Sequence, residues 1–186
     1  DYVCIGEGEE AVCDMLARME KGGDIRTADI PNIWVRGSGR PEIRPPVSMH
    51  RLPFMARDLL DETEGVIHIS TMRGCPFPCT FCTGGAIVRL YGGKEYIRRR
   101  SVDSVLKEVR HIRENAPMHY VIFLDDTFTL SRGWVEEFCR VYGREIGTGF
   151  SINARADTVS PEMITMLAQA GCKHIIYGVE SGCRHV

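Results

Sequence analysis

From residue 66 the sequence alternates short continuous apolar runs with longer stretches whose apolar residues recur every three or four positions. That alternation predicts strand–helix steps, and strands that alternate with helices in this way point to a parallel sheet. Val66 to Thr71 reads as the first strand. Ser101 is placed to cap a helix whose Val102, Val105, Leu106, Val109 and Ile112 share one face, and Pro117 stops it. Tyr120 to Leu124 is a continuous apolar run, as a buried parallel strand requires. Ser131 then opens a helix with Trp134, Val135, Phe138, Val141 and Tyr142 inward. Phe150 to Asn153 is the third strand. Ser160-Pro161-Glu162 starts a helix that uses Met163, Ile164, Leu167 and Ala170, and Gly171 ends it. His174 to Val179 is the fourth strand. Four such steps predict a parallel sheet with right-handed crossovers. Ligands of such sheets bind at the carboxyl ends of the strands.

The first part of the chain reads differently. Tyr2 to Ile5 is a short apolar run that ends in Gly6-Glu7-Gly8-Glu9. Val12, Met15, Leu16 and Met19 then fall at helical spacing up to Gly22-Gly23. Ile33-Trp34-Val35, Gly37-Ser38-Gly39 and Glu42-Ile43-Arg44 suggest a β-hairpin, and Pro45-Pro46 marks a linker. Three segments follow: residues 1–30 as the end of an α/β domain, 31–62 as hairpin and linker, and 63–186 as the strand–helix core. The absence of an initiator Met at Asp1 and a stop just after a strand-like run suggest an interior piece of a longer protein.

With 44% hydrophobic residues a real core is available. Lys and Arg total 23 against 25 Asp and Glu, so no global field favours nucleic acid or a membrane surface. No apolar run approaches the roughly 18 residues of a membrane span, and the N-terminus lacks a signal peptide's charged region. A cytoplasmic protein is expected. Eight cysteines in such a chain point to metal or redox chemistry rather than disulfides.

Three of them cluster in Arg73-Gly74-Cys75-Pro76-Phe77-Pro78-Cys79-Thr80-Phe81-Cys82. The glycine and two prolines favour a loop, which can turn three sulfurs toward one place. Thiolates are the ligands of iron–sulfur clusters, whereas structural zinc asks for four ligands and no fourth Cys or His lies nearby. Three thiolates on four irons leave one iron open to a substrate's amino and carboxylate groups. The bland alternative is a zinc knuckle or buried thiols. Cys4, Cys13, Cys139, Cys172 and Cys183 read as small core residues.

The C-x3-C-x2-C spacing, with an aromatic before the last Cys, resembles the signature of the radical S-adenosylmethionine (SAM) superfamily from about residue 66 onward. The resemblance implies a partial (β/α)6, TIM-like barrel with a [4Fe-4S] cluster on Cys75, Cys79 and Cys82. It also implies reductive cleavage of SAM to methionine and a 5′-deoxyadenosyl radical, which abstracts hydrogen from substrate. By position Phe81 resembles the aromatic packed near the adenine. Leu124-Asp125-Asp126-Thr127-Phe128 departs from the family's glycine-rich turn and resembles the Asp-Asp-x-Phe variant of cobalamin-dependent members. Asp125 and Asp126 would suit an ammonium or a metal, or simply cap a strand end. Asn153 and Arg155 share a face of the third strand. Arg155 would meet the SAM carboxylate or make a surface salt bridge. Gly178-Val179-Glu180-Ser181-Gly182 resembles the family's G-[VI]-E-S-G, which places Glu180 on the ribose hydroxyls and Gly178 close to the ligand. Arg98-Arg99-Arg100 reads as a solvated loop, with contact to an acidic substrate or phosphate as the alternative.

Val3 to Glu9 resembles the last strand and turn of the Rossmann-like cobalamin-binding domain that precedes many of these barrels. The resemblance implies a methyltransferase or cyclase, cobalamin in the full-length protein, and a low-potential donor such as flavodoxin or ferredoxin. The alternatives are a methylthiotransferase and a non-catalytic Fe–S or zinc module.

Overall fold

The computed structural model describes residues 2–27, 29–59 and 65–183. Its elements run β1 (Tyr2–Cys4), α1 (Glu9–Glu20), β2 (Ile33–Val35), β3 (Val66–Ile69), β4 (Met72–Arg73), α2 (Gly84–Leu90) and β5 (Arg98–Arg99). There follow α3 (Val102–Asn115), β6 (Tyr120–Phe123), α4 (Arg132–Glu145), β7 (Phe150–Ala154), α5 (Pro161–Gln169) and β8 (Cys172–Tyr177). They pack as two units: Asp1–Leu52 with Gly74–Ile97, and Pro53–Arg73 with Arg98–Val186. The expected boundary between linker and core, at residues 62 and 63, lies outside the described residues.

The larger unit holds a four-stranded, all-parallel sheet in the order β3-β6-β7-β8. Its register sets Ile67 against Val121 and Ile69 against Phe123. Those four side chains are buried, together with Val105, Leu106 and Val109 of α3, Val135, Phe138 and Tyr142 of α4, and Leu167 of α5. Phe123 sits among four other rings, with centroids 5.2 Å away for Phe128 and Phe138, 5.6 Å for Phe150 and 6.1 Å for Tyr142. Offset and edge-on aromatic packing of this kind adds to area burial.

The helix starts follow their local chemistry. The Ser101 hydroxyl accepts from the Ser104 N–H at 3.2 Å, and the Ser160 hydroxyl from the Met163 N–H at 3.3 Å with Pro161 behind it. Ser131 holds the N-cap position of α4 but makes no capping bond. Ile164 is exposed rather than inward. The buried stripe of α5 is Met163, Leu167 and Ala170 with Met166 beside them, and Ile164 lies one step round the helix from it. The last strand starts two residues earlier than expected and ends at Tyr177, because Ala154 opposite is the last residue of β7.

In the smaller unit β2 exists, but its partner is β1, antiparallel, with Val3 opposite Trp34. The expected hairpin arm at Glu42–Arg44 is no strand. Asn32, buried at a left-handed φ of 68°, holds that arm instead. Its N–H donates to the Glu42 carbonyl at 2.7 Å, and its side-chain oxygen accepts from the Arg44 N–H at 3.0 Å. Its side-chain NH2 donates to the Ile5 carbonyl at 2.7 Å. Asn tolerates this backbone region better than most residues. One short side chain thus replaces a ladder. Ala11, Ile25, Ile30 and Ile33 form a small core, whereas Val12, Leu16 and Met19 of α1 are exposed.

Phe123→Ala should cost about 3–5 kcal/mol of stability, as ring-to-Ala truncations in a close-packed core do. Ile164→Ala should fall within about 0.5 kcal/mol of the parent protein. Urea unfolding of both variants checks the contrast.

Candidate functional site

Residues 74–97 leave and re-enter the larger unit through a two-stranded stem. β4 pairs antiparallel with β5, Met72 opposite Arg99 and Arg73 opposite Arg98. The stem is held by Asp125, which follows β6 and is fully buried. The Asp125 carboxylate accepts the Thr71 N–H at 2.6 Å, the Met72 N–H at 3.1 Å and the Thr71 hydroxyl. Arg99 lies 3.9 Å from it. The Arg99 guanidinium also donates to the carbonyls of Thr127 and Phe128 at 3.2 and 3.0 Å, and stacks 4.5 Å from the Trp134 ring. Burial pushes the Asp125 carboxyl above the ordinary Asp range, against the pull of Thr71, Arg99 and Met72. Burial likewise lowers Arg99, with Asp125 opposing.

The Asp-Asp pair therefore divides. Asp125 turns inward and fastens the stem, so its oxygens are not offered to a ligand. Asp126 is exposed. Nor is the arginine run a solvated loop. Arg98 and Arg99 form β5. Arg100 donates to the Ser70 carbonyl at 3.3 Å and to the buried Glu108, which also takes Arg57 at 3.2 Å. The sequence signal for this was spacing: Arg100 stands four and eight residues before Ser104 and Glu108, one face of a helix. Thr71 carried no such signal.

Three adjacent strands end in the remaining expected residues. Asn153 is half-buried on β7 and donates to the Asp125 carbonyl at 3.1 Å. Arg155 grips Asp157 with two bonds, at 3.0 and 2.8 Å, so the surface salt bridge is the arrangement present. Beyond β8, Glu180 is exposed and has a left-handed φ of 58°. Its carboxylate folds back over Gly178, where an added Cβ would come within 2.6 Å of it.

The cysteines lie in the smaller unit. Cys75 and Cys79 are half-buried, Cys82 is exposed, and none forms a disulfide. A turn closes through the Cys82 N–H to the Cys79 carbonyl at 3.2 Å. The Gly84 N–H then points at the Cys82 sulfur at 3.3 Å. Backbone N–H groups aimed at sulfur are among the levers that tune Fe–S centres. Phe81 is 68% exposed beside them. Among the described residues no three Cys, His, Asp or Glu side chains gather about one point that suits a single metal ion. A cluster asks each thiolate to reach a separate iron, so three soft donors on one loop suit it.

Of the other five cysteines, Cys139 is buried and Cys172 half-buried against the core, whereas Cys4, Cys13 and Cys183 are exposed rather than core residues. Burial pushes the Cys139 thiol up to about 12 and the Cys172 thiol to about 11.

Residues 69–186 match the radical SAM superfamily, and the chain belongs to it. An uncharacterized methyltransferase of Pyrococcus horikoshii is 27% identical across 97% of this chain and 40% of its own length. The hopanoid C-3 methylase of Methylococcus capsulatus is 25% identical across 97% of this chain and 35% of its own. The chain thus spans less than half of these relatives. The structure of the radical SAM methyltransferase TsrM of Kitasatospora setae, with tryptophan substrate and a SAM analog bound, superposes at a TM-score of 0.71. It covers 100% of this chain and 38% of TsrM at 20% identity. The same protein has been solved with cobalamin and a [4Fe-4S] cluster bound. No helix among the described residues is long and apolar enough to cross a membrane.

Asp125→Ala should cost about 3–5 kcal/mol, because it orphans the Thr71 and Met72 donors and leaves Arg99 a buried charge without its carboxylate. Asp125→Asn should cost less, since an amide oxygen still accepts both N–H groups and only the pairing with Arg99 is lost. The raised carboxyl holds its proton more tightly in the fold than in the unfolded chain. That contribution is complete below the unfolded value and lost as pH rises through the folded one. Denaturation of the Asn variant should therefore approach, or pass, that of the parent protein as pH rises from about 4 toward 7.

Alkylation offers a second check. At pH 8 a thiol with a pKa near 12 is only about one part in ten thousand thiolate. Cys139 should stay unmodified by iodoacetamide until the protein is unfolded, whereas exposed Cys82 of the metal-free protein should react in the folded state. Peptide mass spectrometry reads both.

Proposed function

We propose that the full-length protein is a cobalamin-dependent radical SAM enzyme of the methyltransferase or cyclase type. The observation that carries this reading is the three-thiol loop, inserted directly after the first strand of a parallel sheet in a chain of this superfamily. The names of the relatives and the cofactors bound by TsrM support the subclass. When bound, the cluster and SAM would supply the radical chemistry, and cobalamin would serve a methyl transfer or ring-forming step that follows.

The chain's own residues have distinct parts in this reading. Cys75, Cys79 and Cys82 would hold the cluster through their thiolates. The exposed Phe81 ring offers a face to the adenine. Asp126 and Asn153 present polar groups at two neighbouring strand ends, the first suited to the SAM ammonium. Arg155 can trade its Asp157 partner for the SAM carboxylate, because a surface pair is easily exchanged. Glu180 swings away from Gly178 to accept from the ribose hydroxyls, and Gly178 then leaves space for the ligand. Asp125 serves as a positioning residue for the loop stem. A low-potential donor of the flavodoxin or ferredoxin class supplies the electron. The substrate is small-molecule or macromolecular, and the strand ends do not select between them.

Anaerobic reconstitution of the full-length protein should give about four irons per chain, with a spectrum that SAM perturbs. Cys79→Ala should abolish SAM cleavage and Cys139→Ala should retain it. Equal activity in the two variants, or one zinc per chain with no response to SAM, overturns the reading.

A further inference from the structure

The cysteine loop has a second support, made of two tyrosines that no catalytic role absorbs. Gly74, immediately before Cys75, has a left-handed φ of 84°, and an added Cβ would lie 2.9 Å from the Tyr96 ring and 3.3 Å from the Ile97 backbone. The loop's first residue is therefore seated on Tyr96, which is itself buried. The Tyr96 ring stacks on Tyr91, with centroids 4.6 Å apart and planes 10° from parallel. The Tyr91 hydroxyl accepts from the Glu7 N–H. Its ring lies so close to Gly6 that an added Cβ would fall 2.8 Å from Cζ, at a backbone φ of 86°. Glu7 is anchored in turn, since its carboxylate accepts the Val47 N–H at 2.8 Å. Every one of these residues belongs to the same packing unit.

We infer that Tyr91 and Tyr96 are positioning residues that set the stance of Cys75 from the Gly6–Glu9 turn. The inference rests on the proposed reading of the three cysteines as cluster ligands. The physical case has two parts. First, glycine stands at both ends of the column, and at each end a side chain would strike a tyrosine ring as well as strain the backbone. Rings pressed directly on backbone transmit position more faithfully than flexible side chains do. Second, a cluster ligand must be held within a fraction of an ångström, and the residues behind it do that work. The β4–β5 stem fixes where the loop departs. The tyrosine column fixes Gly74 from the N-terminal side.

The test uses full-length protein, reconstituted anaerobically, as wild type, Tyr96→Ala, Tyr96→Phe and Tyr91→Phe. Iron and sulfide content, the electron paramagnetic resonance spectrum of the reduced cluster, and its SAM titration are read for each. Tyr96→Ala should keep its iron but need about tenfold more SAM to shift the spectrum, the scale expected for loss of a group behind a metal ligand. Tyr96→Phe, which keeps the stack, should match wild type. Tyr91→Phe should show a smaller loss. A wild-type titration in Tyr96→Ala, or an equal loss in Tyr96→Phe, overturns the inference. Should Tyr96→Ala fail to fold, Tyr91→Phe decides, and an unchanged titration there overturns it. Alkylation of Cys75 in the metal-free proteins separates the two readings. If wild type binds no iron, the cluster assignment falls; the column still stands if Cys75 reacts faster in Tyr96→Ala, and falls if the rates are equal.

Discussion

A single buried carboxylate organises the junction from which the cysteine loop departs. Asp125 closes β6, and through Thr71 and Met72 it fastens the chain that has just left β3. Arg99, coming back from the loop, lies against the same group and caps the carbonyls that follow it. Entry, exit and the neighbouring strand end are thus fixed on one side chain. Desolvation works against such an arrangement, and it holds because almost every oxygen lone pair faces a donor. A second buried group repeats the device nearby. Glu108 on α3 takes both Arg57 and Arg100, while Arg57 also reaches the His68 carbonyl of β3 at 2.8 Å. The β3 edge and the helix over it are tied by charge-assisted bonds rather than by apolar contact alone.

The sheet was legible in the sequence, and so was the loop that carries the thiols. Continuous apolar runs, two serine caps and a proline at a first helical position each point to the same answer, and local agreement of that kind specifies a fold. What sequence could not convey was direction. Two adjacent aspartates look alike in a string, yet a strand end sends successive side chains to opposite sides, so Asp125 is sealed and Asp126 is wet. Three arginines in a row look solvated, yet the buried Glu108 and Asp125 take up two of them. The hairpin failed because pairing is a choice among partners. Ile33–Val35 had β1 available, and Asn32 satisfied the arm it displaced. Cys4, Cys13 and Cys183 were read as core from their places on apolar faces or strand ends, whereas burial depends on what packs beside them.

The two units divide the expected chemistry. Soft donors sit on a short, proline-bearing loop in one. The polar side chains Asp126, Arg155 and Glu180 sit beyond β6, β7 and β8 in the other. Superfamily membership explains why both sets occur in one chain. The local geometry explains why they differ in firmness. One backbone turn joins Cys79 to Cys82, whereas Arg155 is engaged with Asp157 and Glu180 lies exposed beyond β8.

The parallel pairing of β3 with β6 has a consequence for assembly. Between Val66 and its partner Tyr120 lies everything from the stem to α3, including all three clustered thiols. β6, β7 and β8 can form from neighbouring sequence, but β3 must wait until that whole excursion has been made and folded back. During synthesis the thiols therefore emerge before the carboxylate that will anchor their stem.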